Sequence, residues 1–115
     1  MVFLLLLLSL TACGKSTEAK WQEQYDLGMK YVSEGNYEEA IIAFAAAIEI
    51  DPKSVDAYLA LADVYEAQGD TESLQAILEQ GQEATGDVRF QERLEEQNSP
   101  QYFDADRNLT DTVEY

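Results

Sequence analysis

Histidine is absent from the chain, and cysteine occurs once, at Cys13. Without histidine the protein lacks the most common general base and the most common metal ligand. A lone cysteine cannot form a disulfide within the chain, so no disulfide framework is expected. Because no nucleophile can be paired with a base, we predict that the protein is not an enzyme and holds no metal ion or other cofactor.

Basic residues are scarce. Lysine and arginine together number 7, against 23 aspartates and glutamates, which gives a formal net charge of −16. A chain this acidic repels phosphate groups and anionic lipid headgroups, so no nucleic acid is expected as a partner. Its hydrophobic share of 46% is too high for a disordered acidic chain. We therefore expect one small folded domain that attracts basic partners.

An apolar run covers residues 2 to 10, with Ser9 as its one interruption. It is far shorter than the roughly 20 residues that cross a bilayer, but it has the length of a signal-peptide core. The run leads into LTAC, residues 10 to 13, which resembles the lipobox of bacterial lipoproteins. The resemblance implies cleavage before Cys13, lipidation of its thiol and an anchor at the extracytoplasmic face of the cell membrane. The alternative is an ordinary buried cysteine in an apolar helix.

Two segments of the remaining chain repeat one another. Residues 21–54 align with residues 55–88 at a period of 55 − 21 = 34 residues. The first segment carries Leu27, Gly28, Tyr31, Gly35, Tyr37, Ala40, Phe44, Ala47 and Pro52. The second keeps Tyr58, Leu61, Ala62, Tyr65 and Gly69, and departs from the pattern at Leu74, Gly81 and Gly86. In period and in these residues the chain resembles the tetratricopeptide repeat family.

Local signals place the ends of the helices. Gly35 and Gly69 suit the left-handed residue that ends a helix, and Asn36 and Asp70 are expected to cap the next one. Asp51-Pro52 stops a helix, and Ser54 is expected to cap its successor. We predict helices near 19–34, 37–50, 55–68, 71–84 and 88–97. The fold is then all-α: antiparallel helix-turn-helix hairpins in a short α-solenoid, with two repeats and a capping helix.

The apolar positions predict how these helices pack. Gly28 is expected to let the first two helices approach closely, and Phe44 to be buried between both hairpins. The helix at 37–50 is apolar nearly all round, so its burial is predicted to be complete. The capping helix is expected to turn Phe90 and Leu94 inward and its glutamates to solvent.

The same patterns divide the chain into four parts. They are a lipoprotein signal peptide at 1–12, the lipidated cysteine and a polar linker at 13–20, the repeat module at 21–97, and an acidic tail or linker at 98–115. Within the module, the repeats are 21–54 and 55–88 and the capping helix is 88–97. Asp104, Asp106 and Asn108 alternate in the tail as in a calcium loop, but Leu109 stands where that loop needs glycine, so no metal site is expected.

The family resemblance also implies a binding surface, because tetratricopeptide proteins generally bind peptides in the groove lined by the first helix of each hairpin. The expected groove residues are Gln22, Tyr25, Asp26, Met29, Leu59, Asp63 and Glu66, with Val32 and Asp56 beside them. They form an apolar strip flanked by acids, which favours a protein or peptide partner that is basic and offers an apolar anchor. The alternative interpretation is an ordinary solvated helix face.

Together these features favour a membrane-anchored protein-interaction module, an adaptor or assembly factor at the bacterial cell envelope. The alternative is a structural spacer or dimerisation module of a larger lipoprotein whose functional domain lies outside this sequence. An adaptor should keep its groove open. A dimerisation module should instead hide Phe90, Leu94 or the groove in a symmetric contact.

Overall fold

The computed structural model describes residue 14 and residues 16–99, and this part of the chain consists of five α-helices without a β-strand. The helices are α1 (Thr17–Ser33), α2 (Tyr37–Ile50), α3 (Val55–Gln68), α4 (Thr71–Thr85) and α5 (Val88–Asn98). The five predicted helices and the all-α fold are confirmed. The proposed signal peptide, Cys13 and nearly all of the proposed tail lie outside the described residues.

Each helix packs against the next along the chain, and α1 also touches α3. Because the connections are only a few residues long, successive helices run antiparallel and form two hairpins, α1–α2 and α3–α4, followed by α5. The first helices of the two hairpins therefore lie side by side. This arrangement is a short α-solenoid.

Capping side chains fix several helix ends, although not all those that the sequence suggests. Asp70 Oδ1 accepts a hydrogen bond from the Ser73 amide at 3.1 Å, as expected for an N-cap. Asn36 and Ser54 occupy N-cap positions but make no side-chain cap bond, so the capping predicted for them is wrong. Their helices are held by packing rather than by a local side-chain bond.

Asp87 caps α5 in a stronger way. Its Oδ1 accepts from the Arg89 amide at 3.0 Å, while the Arg89 guanidinium donates to both carboxylate oxygens at 2.9 Å each. These bonds favour the ionised carboxylate and lower the pKa of Asp87 to about 2. The N-terminus of α5 is thus stabilised by a carboxylate that stays charged down to acidic pH.

The contact between α1 and α2 is close because residue 28 has no side chain. A Cβ built at Gly28 would lie 2.5 Å from Cε1 of the Phe44 ring, well inside van der Waals contact. Phe44 itself is fully buried, with Ala40 and Ala47 one helical turn away on either side. The predicted roles of Gly28 and Phe44 are therefore confirmed.

The hairpin α3–α4 and the last helix share a second aromatic contact. The Phe90 ring packs edge-to-face on Tyr58, with ring centroids 6.0 Å apart, and it lies where a Cβ on Gly81 would fall. The Tyr58 hydroxyl donates to the Pro52 carbonyl oxygen at 2.8 Å, which fixes the ring. Phe90 is fully buried, as predicted, and Leu94 packs half-buried against the same core. Gly81 thus makes room for α5.

The prediction that α2 is completely buried is wrong. Ile42 is 68% exposed, and Ala45 is also exposed. The helix packs on α1 and α3, which cover two of its sides, and its remaining side faces solvent between Glu38 and Glu49. Average apolarity measures how much of a helix could be buried, whereas the number of neighbouring helices decides how much is buried.

Truncation of Phe44 is expected to be the most damaging single change in the core. Phe44→Ala should lower the free energy of unfolding by about 3 to 5 kcal/mol, because it leaves a cavity between the hairpins. Ile42→Ala on the same helix is the matched control and should stay within about 0.5 kcal/mol of the parent. Urea unfolding followed by circular dichroism measures both. Equal losses in the two variants would contradict the observed packing.

Gly28→Ala tests the close approach of α1 and α2. The expected change in the free energy of unfolding has the opposite sign to the change that helix propensity predicts. On an exposed helix, Gly→Ala stabilises by about 1 kcal/mol. Here the added methyl group meets the Phe44 ring, so we expect destabilisation by about 1 to 3 kcal/mol.

The control is the double variant Gly28→Ala with Phe44→Leu, in which the smaller side chain makes room for the methyl group. Adding Gly28→Ala to Phe44→Leu should then cost less than adding it to the parent. A more stable Gly28→Ala single variant would show that the helices are not in close contact.

Candidate functional site

A cavity of about 250 Å³ opens between α1 and α3. Helix α1 contributes Tyr25, Met29 and Val32, helix α3 contributes Asp56, Leu59 and Asp63, and buried Phe44 of α2 closes the bottom. The mouth is exposed: Met29 is 46% accessible, and both aspartates face solvent. We call this cavity and its lining residues the α1–α3 groove.

Aromatic packing holds Tyr25 at the centre of the groove. Its ring stacks on Trp21 with centroids 4.9 Å apart and planes 15° apart, and it lies tilted against Phe44 at 5.7 Å. A ring held on two sides loses little freedom when a ligand binds. Met29 beside it is unbranched and can adapt its shape to an apolar side chain. The groove therefore combines a fixed platform with an adaptable wall.

The electrostatics of the groove favour a cation. Burial is the largest cause that raises the pKa of the Tyr25 hydroxyl. The negative charges of Asp56, Asp63 and Asp26 raise this pKa further. Each of these carboxylates lies close enough to the phenol to disfavour its ionised, negatively charged form. The same field attracts an ammonium or guanidinium group.

The structure gathers some of the residues that the sequence proposes for the groove and separates the others. Tyr25, Met29, Leu59 and Asp63 line it together, as do Val32 and Asp56. Gln22 and Asp26 are exposed on α1 outside the lining, where Gln22 Nε2 donates to Asp26 Oδ1 at 2.8 Å. Glu66 does not line the cavity either, and it accepts a hydrogen bond from Arg93 of α5.

Arg93 is the residue that the sequence analysis missed. Its Nη1 donates to Asp63 Oδ1 at 2.7 Å and its Nη2 to Glu66 Oε2 at 2.9 Å. The available signal was the repeat period, since 93 − 59 = 34 places Arg93 on α5 where Leu59 stands on α3. Treating α5 as a polar cap concealed this correspondence.

A larger cavity, of about 660 Å³, lies among α3, α4 and α5. Its lining is polar and includes Glu66, Glu72, Gln75 and Arg93, and it offers no aromatic platform. Within residues 16–99, no cluster of potential ligands is arranged to hold a metal ion. None of the five helices has the length and apolarity needed to cross a membrane. The smaller α1–α3 groove is the better candidate for a binding site.

These features define a small helical-repeat protein with an open groove between the first helices of its hairpins. A family model described as "TPR repeat" matches residues 28–69, and one described as "Tetratricopeptide repeat" matches residues 55–87. Together they span residues 28–87, more than half of the chain, so the protein belongs to the tetratricopeptide repeat family. No curated protein matches the sequence.

Proposed function

We propose that the α1–α3 groove binds a peptide segment of another protein and that this segment carries a lysine or arginine next to an apolar side chain. The observation that carries the proposal is the juxtaposition of Tyr25 and Leu59 with Asp56 and Asp63 around one cavity. Tetratricopeptide repeats generally serve as protein-interaction modules, which gives the class of partner.

Charge determines which peptides the groove can accept. Asp56 and Asp63 stand at its mouth, and the chain as a whole carries a net charge of −16. An acidic peptide would meet repulsion both during its approach and once bound, whereas a basic one approaches faster and binds more tightly. No lysine or arginine lines this groove, so it lacks the side chains that would clamp the C-terminal carboxylate of a peptide. The groove is therefore expected to select basic peptide segments.

Burial of Phe90 argues for an adaptor rather than a dimerisation module. Phe90 is completely inaccessible within the single chain, where it packs on Tyr58 and Gly81. It therefore has no surface to offer a second copy. The groove is open, as an adaptor requires, and two grooves of the same negative charge would repel each other in a symmetric dimer.

We also propose that the module is anchored to the extracytoplasmic face of a bacterial membrane through a lipid on Cys13. This proposal rests on the LTAC sequence at residues 10 to 13 and on the apolar run before it. Helix α1 begins at Thr17, so residues 14–16 alone would separate the anchor from the module. Two or more acyl chains would hold it stably, because one chain binds a membrane only reversibly.

Loss of the groove anchors is expected to weaken peptide binding without unfolding the domain. The probe is a blocked peptide of sequence Gly-Leu-Lys-Leu-Gly, and calorimetry or NMR titration measures its affinity. Tyr25→Ala combined with Leu59→Ala should weaken binding by about 2 kcal/mol or more, as truncation of central anchors does.

Two controls accompany this test. Ile42→Ala removes an exposed apolar side chain from the far side of the module and should bind as the parent does. A peptide with glutamate in place of lysine should bind the parent more weakly. If the groove variant binds the lysine peptide as tightly as the parent does, this groove is not the site.

The anchor has its own test. Cys13→Ser should abolish processing and leave the leader attached, because the thiol that receives the lipid is gone. Mass spectrometry of the protein extracted from membranes measures both the cleavage and the lipid. An unmodified cysteine in the mature membrane-extracted parent would disprove the anchor while leaving the groove unaffected.

A further inference from the structure

The first helices of successive units present equivalent positions along the same side of the solenoid. The repeat period relates Tyr25 of α1, Leu59 of α3 and Arg93 of α5, since 59 − 25 = 34 and 93 − 59 = 34. Helix α5 therefore stands where the first helix of a third unit would stand. The module has a second groove, by α3 and α5, in which Leu59 takes the place of Tyr25 and Arg93 takes the place of Leu59.

An ion-pair network bridges the two helices of this second groove. The Arg93 guanidinium bridges Asp63 at 2.7 Å and Glu66 at 2.9 Å, both on α3. The Arg93 side chain is only 24% exposed, while the two carboxylate side chains are 68% and 65% exposed. A planar guanidinium with two well-formed bonds is a more specific partner than a single surface lysine would be.

Asp63 belongs to both grooves. It lines the α1–α3 groove and contributes to the raised pKa of Tyr25, yet its Oδ1 already accepts from Arg93. A basic side chain that enters the α1–α3 groove must therefore share Asp63 with a cation of the chain itself. The Arg93 guanidinium binds the carboxylates of α3 as a basic ligand would.

We infer that Arg93 is a specificity-determining residue that acts as an internal competitor, weakening the capture of basic peptides by sharing Asp63 with them. The inference rests on the proposed function of the α1–α3 groove. It adds that α5, besides covering the core with Phe90, sets the affinity and the salt dependence of that groove.

The test is the affinity of the Gly-Leu-Lys-Leu-Gly probe for Arg93→Gln. Removing a unit charge from beside Asp63 should tighten binding roughly fivefold at low salt. The gain should shrink as salt is added, because screening acts on the same charges. Arg93→Lys keeps the positive charge and should bind the probe within about twofold of the parent.

A charge-matched control separates competition from a general change in net charge. Lys20→Gln lowers the net charge equally, but Lys20 lies about 140° around α1 from Tyr25, away from the groove. It should change the affinity less than about twofold. Adding Arg93→Gln to Asp63→Asn should likewise give less than about a twofold gain, because the shared carboxylate is gone.

Folding is checked by circular dichroism, and all affinities are measured at a temperature where every variant is folded. Buried Phe90 holds α5 independently of Arg93, so Arg93→Gln is expected to keep the fold. If it does not, Arg93→Met, which preserves the apolar stem of the side chain, replaces it in the same measurements.

The outcomes separate this inference from the proposed function. Tighter binding by Arg93→Gln alone supports competition at Asp63. Equal gains in Arg93→Gln and Lys20→Gln, or an undiminished gain in the Asp63→Asn background, overturn the inference and leave the groove as the binding site. If the parent does not bind the probe through Tyr25 and Leu59, the proposed function and the inference both fail.

Discussion

The packing of Phe44 against Gly28 is the contact on which the rest of this protein depends. It brings α1 and α2 so close that no side chain fits at position 28. The same ring supports Tyr25 and closes the bottom of the α1–α3 groove. A single buried aromatic side chain thus links the stability of the first hairpin to the shape of the surface that we propose for binding.

The second half of the molecule reuses this principle with different residues. Gly81 admits Phe90 as Gly28 admits Phe44, and α5 is thereby drawn onto the second hairpin. Once α5 is in place, Arg93 reaches the acids of α3 and makes the two grooves unequal. One groove offers an aromatic platform, and the other is bridged by the ion pairs that Arg93 makes with α3. This asymmetry confines the proposed recognition to α1 and α3, and it makes Asp63 the residue through which the end of the module influences its binding site.

Much of the fold follows from local features of the sequence. Helix ends are set within a few residues by glycines that adopt a left-handed conformation, by Pro52 and by capping aspartates, so the five helices could be predicted. The repeat period placed Gly28 opposite Phe44 and put Tyr25, Met29 and Leu59 on neighbouring helices. Two of the three N-cap predictions failed, at Asn36 and Ser54, because a residue suited to a cap still needs an amide within reach.

What the sequence by itself determined is therefore the number of helices, their ends, and the face of each helix on which a residue lies. Only the tertiary structure decided which helix covers each face. Ile42 stays exposed because α2 has two neighbours rather than three, and Arg93 binds Asp63 and Glu66, 30 and 27 residues away. Helical periodicity acts over a few residues, whereas partners at such separations meet only after the hairpins have packed.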